Sequence, residues 1–142
     1  MKAEQVFAAA NLTAIIGWIL LAVAPRRRFT EKIVLSGALP ILLAVAYLIL
    51  IVIFFGQGDG DFGTLAGVMK LFTNEWTVVA AWIHYLAFDL LVGIWEVKDA
   101  QKRGISHWFV VPCLFFTLML GPIGWLLYSI LRFLYAGRKQ AS

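Results

Sequence analysis

Three ionisable side chains, His84, Asp89 and Glu96, lie within one apolar stretch of the sequence, Trp76–Asp99. About 20 mostly apolar residues suffice to cross a membrane, and an ionisable group inside such a span costs at least a few kcal/mol. At about 100° per residue, a helix places Tyr85, Asp89 and Glu96 on one stripe and His84 on its flank. We therefore expect a polar stripe that faces other helices rather than lipid.

Proton transfer is the simplest chemistry for this stripe. A carboxyl group in apolar surroundings favours its protonated form, so Asp89 can donate a proton to a membrane-soluble substrate. His84 or Tyr85 can complete the transfer. Glu96 lies about 10 Å further along the same helix face and can support it. The alternative is that Asp89 and His84 only link helices through hydrogen bonds, and the residue types leave both readings open.

A metal site would need a different set of residues. One helix cannot bring His84, Asp89 and Glu96 to a single ion, whose ligands lie about 2.0–2.2 Å away. The remaining possibility is that His107 meets Glu96 and Asp99 near the short loop between the last two apolar stretches. Iron is the alternative for such a site, and otherwise the sequence identifies no cofactor.

The composition is that of an integral membrane protein. Of the 142 residues, 62% are hydrophobic and 14% are charged, against about 25% charged in soluble proteins. The net charge is +4, but the Lys and Arg residues cluster between apolar runs. That pattern favours membrane topology signals and contacts with lipid headgroups over nucleic-acid binding. The length suits a single membrane domain, residues 1–142.

We predict an all-α, polytopic membrane protein with four transmembrane helices, at about residues 5–24, 33–55, 76–97 and 107–135. Pro40 is expected to bend the second helix. Asn74 and Gly104 suit the N-cap and C-cap of the third. The fourth stretch is too long for a simple span and contains Gly121–Gly124. We expect one crossing helix that is kinked or partly unwound there, and the alternative is a re-entrant hairpin.

Lys and Arg residues predict the orientation of the spans. With four spans, the loops on one side hold seven basic residues: Arg26, Arg27, Arg28, Lys32, Lys98, Lys102 and Arg103. The termini and the glycine-rich loop hold five: Lys2, Lys70, Arg132, Arg138 and Lys139. This bias predicts that both termini lie outside the cytoplasm.

Depth along the membrane suggests a ligand pocket. At a rise of about 1.5 Å per residue, His84, Asn11 and Gly121–Gly124 lie at a similar level in the outer half. Asp89 lies near the middle. We expect the outer ends of the spans to enclose a pocket around His84, Asn11, Trp82, Trp125 and Gly121–Gly124. The candidate substrate-binding side chains are Asn11, Tyr47, Trp82, Thr117, Trp125 and Tyr128.

Several motifs of the second half carry a family resemblance: WIHYLAFDL at residues 82–90, then Trp95-Glu96, Asp99-Ala100, Pro112-Cys113-Leu114, Gly121-Pro122 and Leu127-Tyr128. In these the chain resembles the abscisic-acid-deficient-4-like family. Its plant members are chloroplast membrane proteins required to make the carotenoid neoxanthin. This chain shows no transit peptide and is similar to the short bacterial members, which implies a multi-pass protein of a bacterial inner membrane.

The resemblance implies a carotenoid or related isoprenoid as ligand, alongside membrane lipids. In plants the conversion opens an epoxide to an allenic alcohol without net redox change, so one acid and one base suffice. We assign Asp89 as the acid and His84 as the base, with Tyr85 and Glu96 in support. Two rival functions remain. One is an iron-dependent carotenoid-cleaving oxygenase that uses His84 or His107, and the other is a carotenoid-binding or assembly protein without chemistry. The sequence also leaves open a homo-oligomer.

Overall fold

The computed structural model describes residues 2–54, 56 and 60–140, with side chains up to residue 136. This part of the chain is all-α and contains no strand. Its helices are α1 (Ala3–Val23), α2 (Arg28–Thr30, continued by a π-helical segment, Glu31–Leu35), α3 (Ala38–Phe54), α4 (Leu65–Leu71), α5 (Glu75–Arg103), α6 (His107–Leu120) and α7 (Pro122–Gln140). Phe55, the last residue of the predicted second span, lies outside the described residues.

Helix α5 is the centre of the fold, and α1, α3, α6 and α7 all pack against it. Both of its predicted caps are confirmed. The Asn74 side chain accepts hydrogen bonds from the backbone N–H groups of Trp76 and Thr77, and Gly104 ends the helix in the left-handed conformation with φ 70°. Such caps satisfy backbone groups that a helix end leaves without partners.

A close approach joins α1 to α5. A Cβ atom on Gly93 would lie 2.6 Å from the ring of Trp18, so the indole rests directly on the α5 backbone. Trp18 is 4% exposed, and Leu21 and Leu90 beside this contact are fully buried. The absence of a side chain at Gly93 is therefore what lets the two helices pack this closely.

The second apolar stretch is interrupted one turn earlier than predicted. The chain leaves the helical conformation at Gly37, where φ is +86°, and α3 begins at Ala38. Pro40 is the third residue of α3, a position at which its missing N–H breaks no intrahelical hydrogen bond. The predicted bend at Pro40 is wrong, because the preceding glycine already separates the two helical segments.

The last apolar stretch is a helical hairpin. Helices α6 and α7 pack along each other, and the rings of Phe109 and Tyr135 lie 6.4 Å apart although 26 residues separate them in sequence. The chain reverses at Gly121, where φ is +45°. A Cβ atom on Gly124 would collide with the Thr117 backbone, so the glycine permits the close contact. The predicted single kinked helix is wrong, and the hairpin alternative describes the structure.

Three helical segments of the described chain are long and apolar enough to cross a membrane: Ala3–Val23, Arg28–Phe54 and Glu75–Arg103. Helix α6 has 14 residues and is therefore only about 21 Å long, short of the hydrocarbon core of about 30 Å. In place of the predicted single fourth crossing helix, the structure has two shorter helices, α6 and α7, that pack along each other.

Candidate functional site

The carboxyl group of Asp89 lies at the tip of the α6–α7 hairpin. Its Oδ1 atom is 3.1 Å from the position that a Cβ atom on Gly121 would occupy, so a side chain there would crowd the carboxyl group. Its Oδ2 atom is buried and has no hydrogen-bond partner among the described residues. A buried carboxyl oxygen without a partner costs free energy, and such atoms in native proteins call for an explanation.

Tyr85 joins Asp89 at the hairpin tip. Its hydroxyl group donates to the backbone carbonyl of Leu118 at 3.0 Å, and it is close enough to the Asp89 carboxyl group to interact with it. The Leu118 carbonyl belongs to the last turn of α6, where carbonyls lack intrahelical partners. Tyr85 therefore fixes the hairpin end beside Asp89, and the predicted polar stripe does face other helices.

Glu96 is the most deeply buried of the acidic side chains that the structure describes. It is 0% exposed, and its Oε1 atom lies 2.9 Å from the Thr117 hydroxyl group. That hydroxyl also lies 3.0 Å from the Cys113 carbonyl. Threonine has one hydroxyl hydrogen, which it donates to Glu96 or to Cys113 or shares between them. A protonated Glu96 that donates to Thr117 would satisfy both contacts separately. The geometry thus fits a protonated carboxyl group.

Asp99 is bound by a polar cluster at the end of α5. Its Oδ2 atom accepts from the Tyr128 hydroxyl at 2.9 Å, from Arg103 Nε at 2.7 Å and lies 3.1 Å from Arg132 Nε. Arg132 also stacks over the Trp95 ring at 5.5 Å. Sequence reasoning missed this cluster. The sequence pattern that could have indicated it is two pairs of residues spaced four apart, Asp99 with Arg103 and Tyr128 with Arg132, since residues four apart lie on the same face of a helix.

His84 does not share a site with Asp89. Its ring lies 5.5 Å from Tyr47 and 4.7 Å from Phe88, and it lines a cavity between α3 and α5. Asp89 instead points to the hairpin. The sequence placed the two residues on different faces of α5, and the structure shows that different helices cover those faces.

The other residues of the predicted pocket also lie at different places around α5. Trp82 Nε1 donates to Asn11 Oδ1 at 2.9 Å, between α5 and α1. Trp125 lines a cavity of about 340 Å³ between α5 and α7, together with Trp95. Thr117 and Tyr128 bind the acidic groups Glu96 and Asp99 instead. The expectation of one pocket shared by His84, Asn11, Trp82, Trp125 and Gly121–Gly124 is therefore wrong.

The conditional metal ligands are not brought together either. His107 Nε2 lies 2.9 Å from the carbonyl oxygen of Ala22 on α1, and this contact orients its ring. Glu96 and Asp99 have the separate partners described above. Within the described part of the chain, no three His, Cys, Asp or Glu side chains cluster as metal ligands would.

The fold and the site define a helical protein whose apolar helices fit a membrane and whose central helix turns a row of carboxyl groups inward. The family model described as ABA DEFICIENT 4-like matches residues 5–128, and the chain belongs to this family. It is 29% identical over 131 residues to Protein ABA DEFICIENT 4, chloroplastic, of Arabidopsis thaliana.

That alignment covers 86% of this chain and 58% of the Arabidopsis protein. The chain therefore spans less than two thirds of the length of the curated relative that it matches. No solved structure matches the chain significantly.

Proposed function

We propose that this chain is a multi-pass membrane protein of carotenoid or isoprenoid metabolism that isomerises a carotenoid-like lipid by acid–base chemistry at Asp89. Family membership supports the ligand class. The observation that carries the site is the buried Oδ2 atom of Asp89, which lies beside the chain reversal at Gly121 and has no hydrogen-bond partner in the part of the chain that the structure describes. A protonated carboxyl group at that place can donate to a substrate oxygen.

One carboxyl group can perform the whole isomerisation. Protonated Asp89 gives its proton to an epoxide oxygen as the carbon–oxygen bond breaks, which leaves an alcohol. The carboxylate then accepts a proton from a neighbouring carbon, the new double bond forms, and Asp89 is protonated again. No electron is gained or lost overall. This scheme needs no separate base, in keeping with His84 lying on another face of α5. Tyr85 positions the hairpin end beside the reacting carboxyl group.

The hairpin supports a revised orientation in the membrane. Because α7 returns to the end from which α6 started, its C-terminal half joins the side of the basic loops, as the contact of Arg132 with Asp99 illustrates. Ten of the twelve Lys and Arg residues then lie on that side, and only Lys2 and Lys70 lie on the other. We place the basic side in the cytoplasm, most simply of a bacterial inner membrane, with the N-terminus outside.

Expression in a carotenoid-producing bacterium, followed by pigment chromatography, tests the function. The wild-type protein should convert an epoxide-bearing carotenoid to an isomer of the same mass. Asp89→Asn keeps the shape but removes the transferable proton, and it should abolish conversion with expression and melting temperature nearly unchanged. Glu75→Gln, the same chemical change on an exposed first-turn residue of α5, is the matched control and should retain full conversion.

Two results would contradict the proposal. Full conversion by a well-folded Asp89→Asn protein would remove the acid–base role of this residue. A wild-type protein that retains bound pigment without converting it would instead favour the non-catalytic binding function.

A further inference from the structure

The cavity between α3 and α5 is separate from the Asp89 site. Two contiguous spaces, of about 120 and 190 Å³, lie at the N-terminal end of α5. The walls that both spaces share are almost entirely apolar: Tyr47, Ile51, Phe62, Leu71, Thr77 and Ala80. Helix α4 and Phe62, which precedes it, cover this end of the groove. Leu71 of α4 lines both spaces. The stacked rings of Phe54 and Trp76, whose centroids lie 4.4 Å apart, line the smaller space.

Two polar side chains face this apolar cavity. His84, which is exposed, and Tyr47, which is half-buried, lie with their rings 5.5 Å apart, and neither forms a hydrogen bond with another described residue. His84 is nine residues, or about 14 Å, from the first residue of α5, within the apolar part of that helix. Polar groups in such surroundings cost free energy unless a partner hydrogen-bonds them. Both side chains can donate and accept, so a single oxygen atom of a ligand can satisfy them.

The size of the cavity indicates what carries that oxygen. A cavity of about 150 Å³ lined by apolar side chains holds a benzene molecule. The larger of the two spaces therefore accommodates one six-membered ring, and the smaller adds room for its substituents. The cavity cannot enclose a whole long-chain lipid, whose remainder would leave through the open side between α3 and α5.

We propose that this cavity is a second ligand site, which takes the ring end of a carotenoid-like lipid that bears one hydroxyl oxygen. His84 and Tyr47 hydrogen-bond the hydroxyl group, and the apolar walls enclose the ring. The choice of a carotenoid-like ligand rests on the proposed function. The site binds and does not convert, because the Asp89 carboxyl group faces the hairpin on another side of α5.

Histidine NMR of the purified protein tests the site, because the chain has only two histidines. The probes are zeaxanthin, whose rings carry a hydroxyl group, and β-carotene, whose rings do not. Zeaxanthin should shift the ring signals of His84 and leave those of His107 in place, since His107 is held by the Ala22 carbonyl. β-Carotene should bind about three- to tenfold more weakly, the usual effect of one lost hydrogen bond.

A matched pair of variants identifies the cavity. Tyr47→Phe removes one hydroxyl group from the cavity and should weaken zeaxanthin binding about three- to tenfold, with β-carotene binding unchanged. Tyr135→Phe makes the same change on α7 at the far end of the hairpin and should have no effect. The site is refuted if zeaxanthin leaves the His84 signals unmoved, or if the two carotenoids bind equally to the wild-type protein.

These measurements are independent of turnover. Loss of carotenoid conversion in Asp89→Asn, with the His84 shift intact, would retain both proposals. Conversion without any His84 shift would overturn only the second site, and a His84 shift in a protein that converts nothing would overturn only the proposed reaction.

Discussion

The Thr117 hydroxyl group lies between two acceptors, Glu96 Oε1 at 2.9 Å and the Cys113 carbonyl at 3.0 Å, with a single hydrogen to share. Both contacts are satisfied if Glu96 is protonated and donates to Thr117 while Thr117 donates to Cys113. The second Glu96 oxygen has no partner among the described residues. We therefore expect the Glu96 carboxyl group that ties α5 to α6 in the interior to be neutral.

Glu96→Gln should consequently be tolerated. The amide can donate to Thr117 as the protonated acid does, so the free energy of unfolding in detergent should change by less than about 1 kcal/mol. Thr117→Val removes the hydroxyl and leaves Glu96 without a partner, and it should destabilise the protein by about 1–3 kcal/mol. Infrared spectroscopy should show protonated-carboxyl absorption that loses one component in Glu96→Gln and keeps the component of Asp89. A strongly destabilised Glu96→Gln protein would show that Glu96 is charged instead.

Gly124→Ala should open the hairpin. The added Cβ atom would collide with the Thr117 backbone, which cannot move aside as a flexible side chain can. We expect a destabilisation of about 1–3 kcal/mol and loss of the Thr117–Glu96 contact. Ile123→Ala on the adjacent exposed position is the control and should melt close to the wild type. Equal melting temperatures for the two variants would contradict the close packing of α6 on α7.

The orientation can be read by cysteine labelling. In a Cys113→Ala background, single cysteines replace Lys2, Gln101 and Ala136, and intact cells are treated with a membrane-impermeant maleimide. Lys2→Cys should react at once, whereas Gln101→Cys and Ala136→Cys should react only after permeabilisation, because the hairpin returns α7 to the basic side. Reaction of Ala136→Cys in intact cells would instead indicate that the last stretch crosses the membrane.

Asp99 should act as a counter-charge for two arginines. Asp99→Leu removes the negative charge that faces Arg103 and Arg132. Because these arginine side chains are 35% and 40% exposed, the free energy of unfolding should fall by only about 1–2 kcal/mol. Tyr128→Phe removes one hydrogen bond and should cost about 1 kcal/mol. Thermal melts of the single and double variants measure the coupling. Strict additivity of Asp99→Leu and Tyr128→Phe would contradict their contact.

The sequence by itself determined the features that depend on neighbouring residues. Apolar length predicted that α1, α3 and α5 are helices, since a helix satisfies its backbone groups within the segment. Asn74 and Gly104 predicted the ends of α5 because caps are local hydrogen-bonding arrangements. The period of 3.6 residues likewise placed Asp89 and Glu96 on one face and His84 beside it.

Only the tertiary structure decided what covers those faces. Gly121 marks a break in the sequence, but whether the chain continues or reverses there depends on contacts from a distant helix, such as Tyr85 with the Leu118 carbonyl. The reversal in turn places Thr117 against Glu96 and Arg132 against Asp99, and it covers Asp89 with the hairpin while α3 lies against His84. Residues far apart in sequence meet through packing, and helical periodicity gives the direction of a side chain but not the neighbour it meets.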